Sequence, residues 1–147
     1  MNPLALTQSI HGYLAVLCVA ATLHPALLLR RGKPLSRRNV WAIAAATVTT
    51  LSTFALGLGI YGDYRASVKR ALFAESLRSG LLFETKEHLA FLVLSLVIGA
   101  ATTALAAPRS RSDLRQAAAL LFALAALGGA ITGALGASVA AVRSFAG

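Results

Sequence analysis

The sequence predicts an all-α integral membrane protein, a four-helix bundle with both termini on the outer side of the membrane. Hydrophobic residues make up 57% of the 147 residues, and the mean hydropathy of +0.72 is too high for a soluble domain of this size. A transmembrane helix needs about 20 mostly apolar residues, and four segments meet that requirement: 4–29, 40–61, 88–107 and 117–142. These four spans use most of the chain, so we expect one transmembrane domain over residues 1–147.

The basic residues between the spans predict the orientation. The connection at 30–38 holds five Lys or Arg residues and no acid, and the positive-inside rule places it in the cytoplasm. The connection at 108–115 has three basic residues and one acid, and it lies on the same side. The longer connection, 62–87, goes to the outer side by elimination. Compact loops of this kind favour a bacterial inner membrane as the location.

The outer connection is expected to contain a short amphipathic helix on the outer interface. Residues at helical spacing form one side of it, and basic residues occupy most of the other sides. That side consists of Tyr64, Val68, Ala71 and Leu72, with Glu75 at its edge.

Small residues in the fourth span predict close helix packing. Gly128, Gly129, Gly133 and Gly136 form a face that lets a neighbouring membrane helix approach closely. That neighbour is a helix of the same bundle or a second copy in a homo-oligomer. Cys18, alone among apolar residues of the first span, is expected to be a small core residue.

Several function classes are disfavoured by the sequence. The net charge of +9 does not indicate a nucleic-acid partner, because the basic residues lie between apolar spans without interleaved aromatic residues. The letters Gly57-Leu-Gly59-Ile-Tyr-Gly62 match a dinucleotide fingerprint, but they follow no strand, so helix packing and termination explain them better. The spans also lack the carboxylates of a transport path and the groups of a hydrolase.

The histidines are the residues that suggest a function. Ionisable groups inside a transmembrane span are costly and indicate a functional site. His11 lies near the outer end of the first span, and His88 begins the third span on the same side. Because both spans run inward, the two imidazoles reach similar depths, as two axial ligands of one haem iron do. The alternatives to haem ligation by this pair are binding of another metal, binding of a quinone, or no ligand at all.

Three further residues extend the haem hypothesis. Arg65 and Lys86 are near enough in sequence to the outer face to contact haem propionates. His24 follows His11 by about 20 Å along a helix but about 140° around it. The chain has three histidines, so a second bis-histidine haem is excluded. We expect one haem b, and His24 is a polar residue of the first span or belongs to a secondary site, such as a quinone site or a haem shared between two copies.

Three short motifs resemble the small four-helix membrane cytochromes b, of the cytochrome b561-like and ferric-reductase-like kind. They are Ile10-His11-Gly12-Tyr13, Gly57-Leu-Gly59-Ile-Tyr61-Gly62 and Lys86-Glu87-His88-Leu89-Ala90. The resemblance covers the layout of about the first 107 residues. It implies electron transfer through a bis-histidine b haem, often with a quinol or another redox protein as partner. The matching ligand positions are His11 and His88, and the family's inner haem pair is missing.

The leading hypothesis is a b-type cytochrome subunit that transfers electrons at the outer side through one haem, rather than an independent enzyme. Its expected partners are the lipid bilayer and a redox protein or larger membrane complex. The alternative is a haem-free four-helix anchor or assembly subunit of a larger complex.

Overall fold

The computed structural model describes residues 3–142, and every regular element in that part of the chain is a helix. Four of the helices are long and apolar enough to cross a membrane, which confirms the all-α class and the four spans. In chain order the elements are α1 (Pro3–Leu29), α2 (Arg37–Gly59), α3 (Tyr61–Asp63), a π-helical segment (Tyr64–Lys69), α4 (Arg70–Glu75), α5 (Leu77–Ala106) and α6 (Ser112–Val142). We call residues 61–75 the strap.

The four long helices form a closed ring. α1 packs against α2 and α6, and α5 packs against the same two helices, so α1 and α5 occupy diagonal corners. We call the end where α1 begins, α2 ends and α5 begins the terminal end. The opposite end, which carries the short connections at 30–36 and 107–111, is the loop end.

Small side chains fill the interface around α6. Val93 of α5 packs against Gly128 so closely that a Cβ there would lie 3.0 Å from its methyl group. Val19 of α1 lies in the same way against Gly129, at 3.4 Å. The glycine-rich face of the fourth span is therefore used, in part, for packing inside the chain. The fully buried residues of this core include Val97, Ala100, Ala104, Ala118, Phe122 and Ala125.

A polar contact joins α1 to α2 within this apolar core. Cys18 is buried, as expected, and its Sγ lies 3.1 Å from the Oγ1 of Thr50. Thr50 also donates a hydrogen bond to the carbonyl oxygen of Ala46, and Thr22 donates to that of Cys18. Each buried hydroxyl therefore has an acceptor within its own helix, which removes the cost of an unpaired polar group.

α5 begins at Leu77, eleven residues before the expected start at His88. Ser76 is extended, with φ −161°, and its hydroxyl accepts a hydrogen bond from the backbone N–H of Ser79 at 3.4 Å. Because this N-cap begins the helix at Leu77, the more polar turns from Arg78 to Glu87 are also part of α5. A search for apolar runs misses such turns, because it detects the hydrophobic part of a helix and not its polar extension.

The strap is amphipathic, as expected, but its apolar face packs on the protein. Tyr64, Val68 and Leu72 are buried against Phe83 of α5 and Val139 of α6. The ring of Tyr64 stacks on that of Phe83, with 5.1 Å between centroids. Ala71 is half-buried and Glu75 is exposed. The strap therefore covers one side of the terminal end instead of lying only on the lipid surface.

The strap turns into α5 through a tight contact at Gly80. A Cβ at this position would lie 2.4 Å from the ring of Phe73, so only glycine lets that ring rest on the first turns of α5. The short connection through Ser76 depends on this close approach.

The loop end is held together by one buried arginine. Arg115 is 2% exposed. Its Nε donates to the carbonyl oxygen of Gly32 at 2.9 Å, and its two terminal nitrogens donate to those of Pro108 at 2.7 Å and Arg109 at 3.0 Å. Gly32 has a φ of +63°, and a Cβ there would lie 2.9 Å from the Cβ and the carbonyl oxygen of Ser112. In the sequence, Arg115 contributes only to the basic charge that predicts the topology, and nothing in the local pattern indicates these bonds.

Replacing Arg115 by methionine is expected to destabilise the fold by about 2–5 kcal/mol, because three backbone carbonyls lose their charged donor. Denaturant unfolding in detergent micelles, followed by circular dichroism, measures the loss. The control is Arg111→Met, which removes only an exposed pair with Asp113 and should leave the unfolding midpoint unchanged. Equal midpoints for Arg115→Met and the wild type would show that this arginine does not hold the two loops.

Candidate functional site

His11 faces α2 near the terminal end. Its Nδ1 donates a hydrogen bond of 2.9 Å to the backbone carbonyl of Thr53, and the residue is half-buried. Gly57, one turn further along α2, has no side chain, and a Cβ there would lie 3.0 Å from the Cε1 of His11. The imidazole therefore packs closely against α2, with its Cε1 nearest to Gly57. Because the carbonyl can only accept, the proton is on Nδ1 and Nε2 is the acceptor of the ring.

His88 lies at the same end of the bundle but is exposed on α5. Its Nδ1 donates to the carbonyl oxygen of Glu84 in its own helix at 2.8 Å. The shallow groove around it is lined by α5 alone, through Leu81, Glu84, Thr85, His88, Leu89 and Leu92. The imidazole thus faces away from the neighbouring helices, with Nε2 as its acceptor.

Lys86 occupies the inward position on α5 at this level. Two residues along an α-helix are about 200° apart, so Lys86 and His88 point in nearly opposite directions. The Lys86 ammonium lies 4.8 Å from the ring centre of Phe83 and 5.7 Å from that of Tyr64. Its aliphatic stem lies beside Gly136. The Lys86 ammonium thus lies against aromatic rings, and its contact with a haem propionate stays a prediction.

The pair His11 and His88 does not fit a haem held between α1 and α5 of one chain. Two axial ligands must direct their Nε2 atoms at one iron from opposite sides. His11 lies between α1 and α2, His88 is on the outward face of α5, and Lys86 occupies the inward position. Ligation of one haem by these histidines stays a prediction, and this arrangement does not support its single-chain form.

A cluster of charges ties the strap to α5. The Lys69 ammonium lies 3.3 Å from Glu84 Oε1 and 3.1 Å from Glu87 Oε2. Burial alone would lower the pKa of Lys69, but its hydrogen bonds to Glu87 and Glu84 outweigh that effect and raise the pKa. The other oxygen of Glu87, Oε1, is buried and has no hydrogen-bond partner within residues 3–142. This cluster leaves no local pattern in the sequence, because Lys69 is 15 and 18 residues away from its partners.

The remaining candidate residues lie apart from these groups. His24 is exposed on α1, in the half toward the loop end, and Pro25 beside it is buried. Arg65 is exposed on the strap. The part of the chain that the structure describes contains no group of three or more His, Cys, Asp or Glu residues arranged to hold a metal ion.

Comparisons with known proteins do not identify the chain: no family model, no curated protein and no solved structure matches it. The resemblance to cytochromes b therefore rests on the short motifs alone.

Replacing Lys69 by methionine is expected to loosen the strap, because two carboxylates lose their shared donor. Amide hydrogen exchange within residues 61–75 should become about ten-fold faster at neutral pH. Since the folded-state pKa of Lys69 is raised, its contribution is present at neutral pH and is lost only as the pH rises through that value, above 10.5.

The control for this prediction is Arg70→Met, which removes the exposed cation next to Lys69. Its exchange rates should match the wild type. If both variants exchange alike, the ion pairs of Lys69 do not hold the strap.

Proposed function

We propose that this chain is a haem-free helical subunit that anchors or helps assemble a larger membrane complex through its terminal end. The observation that carries the proposal is the position of Lys86. The inward face of α5 opposite His11 holds a lysine packed on two aromatic rings, where a cytochrome of this layout needs a ligand.

The strap provides the surface for such a partner. Its inner face is fixed by Tyr64, Leu72 and the ion pairs of Lys69, so the exposed side is held in one orientation. That exposed side carries Arg65, Ala66, Ser67 and Arg70. Arginine is enriched in protein interfaces, and a side chain on an element that is already held in place loses less freedom on docking.

The packing of the transmembrane part also favours a structural role. Within residues 3–142, the centre of the bundle is filled mainly by apolar side chains, and the buried hydroxyls of Thr22 and Thr50 are bonded within their own helices. A transport path would need ionisable groups or interrupted helices at this depth. The basic loop end faces the cytoplasm in this proposal, which puts the strap on the outer side of a bacterial inner membrane.

Site-specific cross-linking in intact membranes tests the docking surface. A photoreactive residue replacing Ala66 on the strap should give one discrete adduct with another polypeptide. The same residue at Leu120, which is exposed on α6 near the loop end, should give none.

The adduct at position 66 should weaken when Glu84→Gln and Glu87→Gln are combined, because the strap then loses its anchor to α5. Absence of any adduct at position 66, or equal adducts at both positions, would refute docking through the strap.

Haem binding is the second candidate, and one observation favours it. Both His11 and His88 donate their Nδ1 proton to a backbone carbonyl, which is the arrangement that prepares Nε2 to bind a metal. A bound haem would supply one-electron transfer. Because the two imidazoles face different directions, this candidate needs a second copy of the chain to complete the ligand set.

The absorption spectrum decides between the two candidates. The full chain, produced with haem available and purified, is expected to show no α band after reduction with dithionite. A band that is lost in His11→Ala or His88→Ala and kept in His24→Ala would establish the cytochrome and overturn the haem-free proposal. Size-exclusion chromatography of the three variants confirms that a lost band is not a lost fold.

A further inference from the structure

The loop end combines the charges of two separate connections into one basic surface. Because Arg115 binds the carbonyl oxygens of Gly32, Pro108 and Arg109, the connections at 30–36 and 107–111 lie side by side. Their exposed cations, together with those of the first turn of α2, therefore belong to one face of the molecule. We call this the basic surface, and it consists of Arg30, Arg31, Lys33, Arg37, Arg38 and Arg109.

The charge of this surface is not neutralised by the protein. The sequence has five acidic residues, and four of them, Asp63, Glu75, Glu84 and Glu87, lie on the strap or the first turns of α5. The fifth, Asp113, is paired with Arg111 through bonds of 2.7–3.2 Å. None of the six cations has an ion pair within residues 3–142.

The level of the surface along the bundle points to lipid as the source of the missing anions. Trp41 is 66% exposed, one turn into α2, where tryptophan marks the boundary between hydrocarbon and headgroups. Arg37 and Arg38 precede it by one turn, and the rest of the surface lies in the connections beyond the helix ends. The cations are therefore at the depth of lipid phosphates.

We propose that the basic surface binds the phosphate groups of anionic phospholipids in the leaflet at the loop end. Arg115 organises the binding without contacting the lipid, since its donors are already engaged by backbone carbonyls. Cations on fixed connections lose less freedom on binding than cations on flexible tails, so this surface retains lipid more tightly than its charge alone would.

The experiment measures retained lipid by native mass spectrometry of the full chain. The protein is extracted from vesicles that contain phosphatidylglycerol and phosphatidylcholine in equal amounts. The wild type should retain phosphatidylglycerol in preference. The combined variant Arg30→Gln, Arg31→Gln and Lys33→Gln should lose about ten-fold or more of that retention.

A matched triple variant tests whether the position of the cations or the net charge of the protein determines lipid retention. Arg65→Gln, Arg70→Gln and Arg78→Gln remove three exposed cations from the terminal end and should leave retention within about two-fold of the wild type, because they lie far from the basic surface. Arg115→Lys keeps every exposed cation but not the three-carbonyl contact, and its retention should fall between the two.

Equal losses in the two triple variants would mean that net charge alone attracts lipid, and this would overturn the proposal. No loss in either would do the same. Free inorganic phosphate at millimolar concentration should not displace the lipid, and a displacement would assign the surface to a soluble anion. Tighter binding of a single-stranded oligonucleotide than of phosphatidylglycerol vesicles would replace lipid by nucleic acid as the partner.

Discussion

The close approach of α6 to its two neighbours is the constraint on which the bundle depends. Inside a bilayer, lipid tails compete with apolar side chains, so helices associate through close packing and polar contacts. Gly128 and Gly129 provide that approach by receiving Val93 from α5 and Val19 from α1. α1 and α5 stay on diagonal corners because α6 lies between them on one side and α2 on the other. This ring decides which side chains can meet, and it keeps His11 and His88 on different faces.

Polar contacts fix the ends of the helices that packing alone would leave free to slide. At the loop end, Arg115 holds both short connections by their backbone, so its effect does not depend on which side chains the connections carry. At the terminal end, Lys69 joins the strap to Glu84 and Glu87. In each contact one cation donates to several acceptors in a partly buried environment. A hydrogen-bonded charge contributes more to stability there than it does in water. Both ends of the bundle therefore have one defined geometry.

The sequence predicted the features that depend on composition and failed where side-chain direction decides. Four apolar runs were sufficient for the four spans, and helical spacing in the strap correctly placed Tyr64, Val68 and Leu72 on one face, although that face packs on the protein and not on the lipid surface alone. The start of α5 was placed too late, because its first turns are polar. The bonds of Arg115 and Lys69 were missed because their partners are distant in sequence or are backbone atoms, neither of which leaves a local pattern.

For the candidate histidine pair, spacing along the sequence predicts the depth of each side chain but not its direction. Distance along a helix gives depth at about 1.5 Å per residue, and by that measure His11 and His88 belong to one end of the bundle. Direction requires knowing the inward face, and the part of α5 that follows His88 has apolar residues on every side. Its large side chains, among them Phe91, Leu92 and Ile98, are exposed, while Val93, Val97 and Ala100 are buried.

In a membrane helix the small residues mark the inward face. Continued by one heptad from Val93, that face reaches Lys86, whereas His88 lies about 140° away from it. The same rule applied to α1 carries the buried face from Pro25 through Cys18 to His11. The size of the apolar residues, rather than their hydrophobicity, therefore indicates that His11 lies on an inward face and His88 does not.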